Sequence, residues 1–167
     1  LTPNHYRMIC FSAFLAGVKG WNWYMLFNRD NWYMSPINEW GRVRGELYDI
    51  FKQITSVFRL LKPTSLTKLT EISVTFNPLQ YAARTLTHNS PILTALYQGD
   101  VDYDMCDPRR GLPKKKVLFY SGNQWLEKIA HQNLRRYVEE GGTLVAFRSF
   151  PRKDDDFKPY QVVGFEE

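Results

Sequence analysis

Cysteine and histidine are scarce in this 167-residue sequence, which contains two cysteines and three histidines. Cys10 and Cys106 have neither the spacing of a metal-binding knuckle nor that of a redox pair, so we interpret both as buried free thiols. His5, His88 and His131 are scattered and lie away from any acidic cluster in the sequence. The sequence therefore predicts no metal site and no other cofactor.

Patterns that bind phosphate or nucleic acid are also missing. The sequence has no Gly-x-Gly-x-x-Gly or Walker pattern, and it has no RNA-binding or helix-turn-helix signature. The formal net charge of +5 comes from dispersed residues except at Arg109-Arg110 and Lys114-Lys115-Lys116, where a solvated loop is expected. We expect no nucleic-acid partner. Hydrophobic (44%) and charged (23%) fractions are ordinary, which argues against a disordered or membrane-spanning chain and predicts no membrane partner.

Aromatic residues are abundant, at 16% of the chain, and many of them are bunched within residues 21–40. Large flat side chains bury much area at little cost in entropy, so this cluster is either a core or a surface that grips flat apolar faces such as sugar rings. The cluster comprises Trp21, Trp23, Tyr24, Phe27, Trp32, Tyr33 and Trp40.

The first 62 residues show a helix, strand, helix pattern. Thr2-Pro3 is a helix start signal, and the apolar run that follows predicts a helix ending at Gly17. Residues 18–27 are too aromatic for an exposed helix and predict a buried strand, followed by a loop over residues 28–41. From Val43 onward, apolar residues recur at three- and four-residue spacing and predict a long amphipathic helix stopped by Pro63.

A shift in composition at residues 62–65 predicts a domain boundary, with the second domain over residues 63–167. Weak helical patterns occupy residues 79–88 and 91–98, and a clear one precedes Gly141-Gly142. Because strands and helices alternate with short turns, residues 65–150 are expected to form a parallel sheet with helices on both faces. The strand patterns lie at residues 71–76, 101–106, 115–120 and 143–147.

The turn Ser121-Gly122-Asn123 follows a buried strand, at the end of a parallel sheet where ligands usually bind. It has the shape of the strand-to-helix elbow in glutamine amidotransferase-like domains, but the elbow cysteine is absent and the Gly-x-Ser-x-Gly spacing of hydrolases is missing. Ser121 has no evident histidine and acid partner. We therefore interpret Ser121 as a turn or cap residue and reject an amidotransferase-like hydrolase.

Residues 15–27 resemble the seventh helix and eighth strand of the (β/α)8 barrel in β-galactosidases of glycoside hydrolase families 35 and 42. Those strands carry an Asn-x-Tyr-Met core, which Asn22, Tyr24 and Met25 match. Where many family 35 enzymes have Gly-Gly-Thr-Asn after the strand, this chain has Asn28-Arg29-Asp30. The resemblance therefore leaves open whether the sugar is a galactoside or a glucosaminide.

Residues 31–41 are similar to the family 35 segment Tyr-Asp-Tyr-Asp-Ala-Pro-Leu-x-Glu-x-Gly, whose second tyrosine contacts galactose. Tyr33 takes that position, with Pro36, Glu39 and Gly41 in step. Residues 116–147 are similar to the non-catalytic, amidotransferase-like assembly domain that follows the barrel in family 42 enzymes. The resemblance implies an α/β fold: residues 1–62 are the last helix, strand and helix of a TIM barrel, and residues 63–167 are a flavodoxin-like, amidotransferase-like sheet domain. Whether that domain includes its last strand is left open.

The implied function is that of a retaining β-galactosidase, which uses two carboxylates about 5 Å apart as acid/base and nucleophile. In the family, both glutamates lie at the ends of strands that precede the helix opening this chain, so no catalytic residue is assigned here and the chain alone is expected to be inactive. Glu39 matches a structural glutamate. The residues expected to contact the β-galactoside or a related oligosaccharide are Tyr33, Trp32, Tyr24 and Asn28, while Trp21 and Trp23 are expected in the core.

A hypothesis from another class is that the chain is a non-catalytic α/β module for oligomerisation or interaction. Both hypotheses predict a homo-oligomer in the parent protein. The chain begins Leu-Thr-Pro-Asn rather than with Met, which suggests an excised segment of something longer. The compartment is left open, with the cytoplasm slightly favoured.

Overall fold

The computed structural model describes residues 2–28, 35–83, 90–147 and 150–160, of which the Asn28 side chain is left out. The chain divides into two compact units, residues 1–68 and 69–167. The division falls shortly after the predicted boundary at residues 62–65. Each unit is described by itself below.

The first unit is built on two helices, α1 (Pro3–Leu15) and α2 (Gly45–Leu61), which pack against each other. Between them in sequence lie two short parallel strands, β1 (Phe27–Asn28) and β2 (Ile37–Asn38). Thr2 caps α1 with Pro3 in its first turn, as predicted. The chain leaves α2 through Lys62 at a φ of 46°, and Pro63 begins a single 3₁₀ turn, so the predicted end of this helix is confirmed.

The core of the first unit is aromatic. Its buried centre is Cys10, Ile50 and Ile54, and rings from the segment after α1 close over it. Trp21 lies 4.2 Å from Phe58 and Trp23 lies 4.2 Å from Phe51, measured between ring centroids. The predicted core role of both tryptophans is therefore confirmed. The T-shaped and tilted ring pairs add a little stability beyond the area that they bury.

The buried strand predicted over residues 18–27 is wrong: within that range only Phe27 belongs to a strand, and its side chain is 57% exposed. Residues 18–23 have no regular secondary structure, residues 24–26 form a turn and bend, and pairing begins at Phe27. A strand is held by hydrogen bonds to a neighbour, and within the described residues β2 provides only two register positions to β1. The two tryptophans instead pack on the core from a segment without regular secondary structure.

The second unit is a four-stranded parallel sheet, as predicted. The strands are β3 (Ile72–Thr75), β4 (Tyr103–Cys106), β5 (Val117–Tyr120) and β6 (Thr143–Ala146). The helices are α3 (Pro78–Ala82), α4 (Pro91–Gln98) and α5 (Lys128–Glu139). The spatial order of the strands is β4-β3-β5-β6, which is the 2-1-3-4 arrangement of flavodoxin-like domains.

Alternate side chains of each strand enter different cores, which places helices on both faces of the sheet and confirms that expectation. On one face, Val74 packs with Ile92 and Leu96 of α4. On the other face, Leu118 and Tyr120 pack with the apolar side of α5. The α5 residues in that core are Ala130, Leu134 and Tyr137.

The connection from β4 to β5 is a loop over residues 107–116 that lies against α5. The Asn133 amide nitrogen donates to the carbonyl of Pro108 at 2.9 Å, and Leu112 packs on the core beneath α5. The loop therefore covers this part of the sheet face, where a crossover helix often lies.

Candidate functional site

The carboxyl ends of β3 and β5 meet at the point where the strand order reverses. From β3 the chain crosses to β4 on one side, and from β5 it crosses to β6 on the other. Ligands of open α/β sheets bind in the crevice that such a reversal creates. Asn77 and Gln80 follow β3 at this point, and Ser121 and Gly122 follow β5.

In this protein the crevice is filled by its own side chains. Gln80 is fully buried, and its carbonyl oxygen accepts a hydrogen bond from the Asn123 backbone N–H at 3.1 Å. Its amide nitrogen donates to the Trp125 carbonyl and, at 3.5 Å, to the Tyr120 hydroxyl. That hydroxyl donates to the Asn123 carbonyl at 2.6 Å. Hydrogen bonds from the buried Gln80 and Tyr120 side chains thus fix the turn after β5.

Gly122 is required by close approach. A Cβ atom at this position would lie 2.5 Å from the Tyr120 hydroxyl oxygen and 2.8 Å from the Gln80 carbonyl oxygen. Real Cβ atoms do not approach other atoms so closely, so any larger residue must displace one of these side chains. The crevice leaves no room for a ligand atom beside the turn.

Among the described residues, which do not include His88, Ser121 makes no hydrogen bond to a base. Its hydroxyl donates to the Ser90 hydroxyl at 2.7 Å, and its backbone N–H donates to the Thr75 hydroxyl at 2.9 Å. The His131 ring is used elsewhere, with Nε2 at 3.0 Å from the Lys153 carbonyl oxygen. A serine nucleophile needs a general base within hydrogen-bonding distance. These contacts support the interpretation of Ser121 as a turn residue.

Cys106, at the end of β4, is also unsuited to nucleophilic chemistry. Burial, followed by the nearby carboxylates of Asp104 and Asp107, raises the pKa of its thiol to about 12. The reactive form of cysteine is the thiolate, which is scarce at neutral pH under these conditions. Cys10 is buried in the first unit, and both cysteines are free thiols.

A charged network that the sequence analysis missed joins the loops after three strands. The Asn77 amide nitrogen donates to Glu127 Oε2 at 2.6 Å, and the Arg109 guanidinium lies 3.7 Å from Glu127 Oε1. Arg109 also pairs with Asp107, whose pKa is lowered chiefly by the hydrogen bonds from that side chain. The network ties β3, β4 and β5 together at their carboxyl ends, which is a structural role.

Residues 150–160 are held against the start of α5. The Leu126 N–H donates to the Lys153 carbonyl at 3.0 Å, and the buried Asp154 lies 3.2 Å from the Lys128 ammonium. The His131 ring packs edge-on against Tyr160, with centroids 5.1 Å apart. Because His131 is buried, its pKa is lowered below the usual value of 6.5.

Of the predicted sugar contacts, Tyr24 is the one whose side chain the structure describes. Its side chain is 86% exposed, while Trp21 and Trp23 on either side of Asn22 pack into the core. Trp32 and Tyr33 lie outside the described residues, and Asn28 is described only as a backbone position in β1. Tyr24 is thus exposed while Trp21 and Trp23 are packed, as the sequence pattern predicted, although this segment is not a strand.

The turn after β2 presents a further exposed ring. Asn38 is buried, and its side-chain oxygen accepts hydrogen bonds from the N–H groups of Trp40 at 3.1 Å and Arg42 at 2.7 Å. Gly41 has a φ of 76°, a conformation that glycine adopts readily. Trp40 is 65% exposed on this turn, and Glu39 is exposed beside it.

Two further properties concern the described residues alone. Among residues 2–28, 35–83, 90–147 and 150–160, no group of three or more His, Cys, Asp or Glu side chains is placed to hold a metal ion. In the same ranges, no helix has the length and apolar character needed to cross a membrane.

Comparison with solved structures finds β-galactosidases of the same fold. The β-galactosidase from the psychrophilic Marinomonas ef1 superposes with a TM-score of 0.61 at 10% identity, over 92% of this chain and 26% of that chain. The β-galactosidase from Rahnella sp. R3 gives a TM-score of 0.54 at 12% identity, over 75% of this chain and 20% of that chain. This chain thus spans only a minor part of either protein. No curated protein sequence matches it significantly.

Comparison with protein-family models finds a match to a family described as "GLMA-like, second domain", over residues 69–165. The match covers more than half of the chain, including the whole parallel sheet and the turn at Ser121. With the sheet order and the filled crevice already established, the match identifies the second unit. The chain belongs to the GLMA-like second-domain family.

Proposed function

We propose that this chain is part of a retaining β-galactosidase, to which it contributes residues at the rim of the sugar site and an assembly domain but not the catalytic carboxylates. The family match over residues 69–165 is the observation that carries the proposal, because the matched family is described as the second domain of a larger protein. The likeness to two β-galactosidases supports the same choice at the level of fold.

The second unit suits an assembly role better than a catalytic one. Gln80 and Tyr120 fill the crevice at the point where the strand order reverses, and the Ser121 hydroxyl donates a hydrogen bond to the Ser90 hydroxyl. A sheet whose usual ligand crevice is packed with its own side chains is free to act as a structural module. The proposed partner of this unit is another copy of the same protein.

The first unit is proposed to supply the aromatic rim of the sugar site, through Trp32, Tyr33, Tyr24 and Asn28. The exposure of Tyr24 supports this role because a sugar ring stacks on an accessible aromatic face. Glu39 is exposed on a turn, and a retaining mechanism needs a second carboxylate about 5 Å away. We assign Glu39 no catalytic role, and the purified chain should not hydrolyse a nitrophenyl β-galactoside.

Galactose titration followed by tryptophan fluorescence tests the rim. We expect quenching that is lost in Trp32→Ala and Tyr33→Phe. The matched control is Trp125→Phe, which removes a tryptophan of the second unit and should leave the galactose response intact. Turnover of the nitrophenyl substrate by the chain alone would contradict the proposal that the catalytic groups lie elsewhere.

The second candidate function is a purely structural oligomerisation module. The closed crevice at Ser121 favours it. Absence of any fluorescence change with galactose in the wild-type chain, together with stable self-association, would support this candidate over the first.

A further inference from the structure

The chain turns back after β2 in a hairpin, residues 37–43, whose tip carries Trp40. The Asn38 N–H donates to the Arg42 carbonyl at 3.0 Å, and Ile37 pairs with Val43 in an antiparallel bridge. The Asn38 side chain accepts two further hydrogen bonds from the backbone of the tip, at Trp40 and at Arg42. These contacts fix the backbone on both sides of Trp40, so binding of a ligand does not have to order it.

The tip of this hairpin lies beyond the carboxyl ends of two strands. β1 and β2 are parallel and in register, so both strands end at the same edge. Trp40 follows the last residue of β2 by two positions. The segment that contains Trp32 and Tyr33 in sequence begins at this edge, where β1 ends. In TIM-barrel enzymes the substrate binds beyond this end of the strands, which is therefore the side on which the proposed sugar site is expected.

The chemistry of the tip suits a sugar ring. Trp40 is 65% exposed, so its indole is accessible to a ligand. Glu39 and Arg42 are exposed next to it in sequence and supply a hydrogen-bond acceptor and donors. A pyranose has a narrow apolar face bordered by hydroxyl groups, which one aromatic ring with polar neighbours matches. A protein partner is better served by a wider apolar patch.

We propose that Trp40 stacks on the outer sugar of the substrate, defined as the sugar on the far side of the glycosidic bond from galactose. The inference rests on the proposed β-galactosidase function and deepens it, because it makes the preferred substrate a galactosyl oligosaccharide. In the proposed site, galactose itself is held by Tyr33 and Trp32. A binding site encloses most of its ligand, so a ring on an exposed tip fits the outer part of the substrate rather than its enclosed centre.

Saturation-transfer NMR with lactose and with galactose tests the proposal on the full chain, because it shows which sugar protons lie against the protein. We expect both rings of lactose to receive saturation from the wild-type chain. In Trp40→Ala the signals of the glucose ring should be lost, while those of the galactose ring remain. The affinity for lactose should fall about two- to tenfold, as expected for one aromatic stacking contact, and the affinity for galactose should not change.

A conservative variant and a matched control accompany this change. Trp40→Phe keeps an aromatic face and should retain most of the glucose-ring signal. Tyr97→Ala removes a ring of α4 that is 81% exposed in the second unit, and it should leave both sugar signals unchanged. Because Trp40 and Tyr97 are both exposed, neither substitution should alter the folded state, which circular dichroism checks.

The outcomes separate this inference from the function on which it rests. A wild-type chain that contacts only the galactose ring of lactose, or a Trp40→Ala chain that binds lactose as tightly as the wild type, would overturn the role of Trp40. Equal loss of both ring signals in Trp40→Ala would overturn the assignment to the outer sugar. In these cases galactose binding by the wild-type chain leaves the proposed function standing. A wild-type chain that binds neither sugar would overturn both.

Discussion

Replacing Gly122 by alanine should destabilise the second unit strongly, because the added methyl group has no space. It would lie 2.5 Å from the Tyr120 hydroxyl oxygen and 2.8 Å from the Gln80 carbonyl oxygen. Gln80 is fully buried and Tyr120 is 2% exposed, so neither side chain can move into solvent without leaving the core.

The magnitude follows from the contacts that would be lost. Overpacking of a well-packed core costs about 1–3 kcal/mol. Displacing Tyr120 and Gln80 also breaks their hydrogen bonds to Asn123, and each buried group left unpaired costs about 1–3 kcal/mol. Alanine recovers about 0.4–1 kcal/mol through the unfolded state. Taken together, these ranges give a net decrease in the free energy of unfolding of about 2–8 kcal/mol, the upper end applying if both side chains lose their hydrogen bonds.

Amide hydrogen exchange of β5 in the full chain measures this change in the unit concerned. Gly20→Ala is the matched control, since a Cβ atom added there would have no other atom within 4 Å and its effect should be small. Tyr120→Leu removes the closest of the clashing atoms, although the Gln80 oxygen remains, so combining it with Gly122→Ala should cost less than the sum of the two changes. A change below about 0.5 kcal/mol in Gly122→Ala would refute the proposed close packing.

Three further predictions concern single side chains. Burial lowers the pKa of His131, so the folded protein resists protonation of this ring. The free energy of unfolding should therefore be retained above pH 6.5 and decrease as the pH falls below it. In denaturant titrations, His131→Gln should flatten this pH dependence. Trp23→Ala should lower the free energy of unfolding by about 2–4 kcal/mol because Trp23 packs on Phe51. Tyr24→Ala should lower it by less than about 0.5 kcal/mol because Tyr24 is exposed, and equal losses would contradict the assigned core. Asn38→Ala should lower the free energy of unfolding by about 1–3 kcal/mol because it leaves two N–H groups of its turn unpaired. Asn38→Asp keeps an acceptor and should lower it less. If Asn38→Asp were the less stable variant in thermal unfolding, the result would argue against this turn.

Local patterns predicted the helices and the strands of the sheet well. The three- and four-residue spacing after Val43 marked α2, and Pro63 marked its end. The apolar run at residues 117–120, the turn at Ser121 and the glycines after α5 marked the β5, α5, β6 unit. These signals are contained in a few consecutive residues, so they can be recognised without knowing what the segment packs against.

The prediction of a strand over residues 18–27 was wrong because strand formation depends on a partner elsewhere in the chain. Its aromatic content indicated burial correctly, since Trp21 and Trp23 lie in the core. Burial does not distinguish a strand from an extended segment, because that distinction depends on whether a neighbouring strand supplies hydrogen bonds. In the described residues, only Phe27 and Asn28 find such a neighbour.

Residue patterns alone were enough to establish the class of the second unit and the alternation of its elements. The folded chain was needed for the order β4-β3-β5-β6, the filling of the crevice by Gln80 and Tyr120, and the link from Glu127 to Asn77 and Arg109. The difference arises from distance along the chain: helix periodicity and turn chemistry act over a few residues, whereas these contacts join residues far apart in sequence and exist only once the strands have paired.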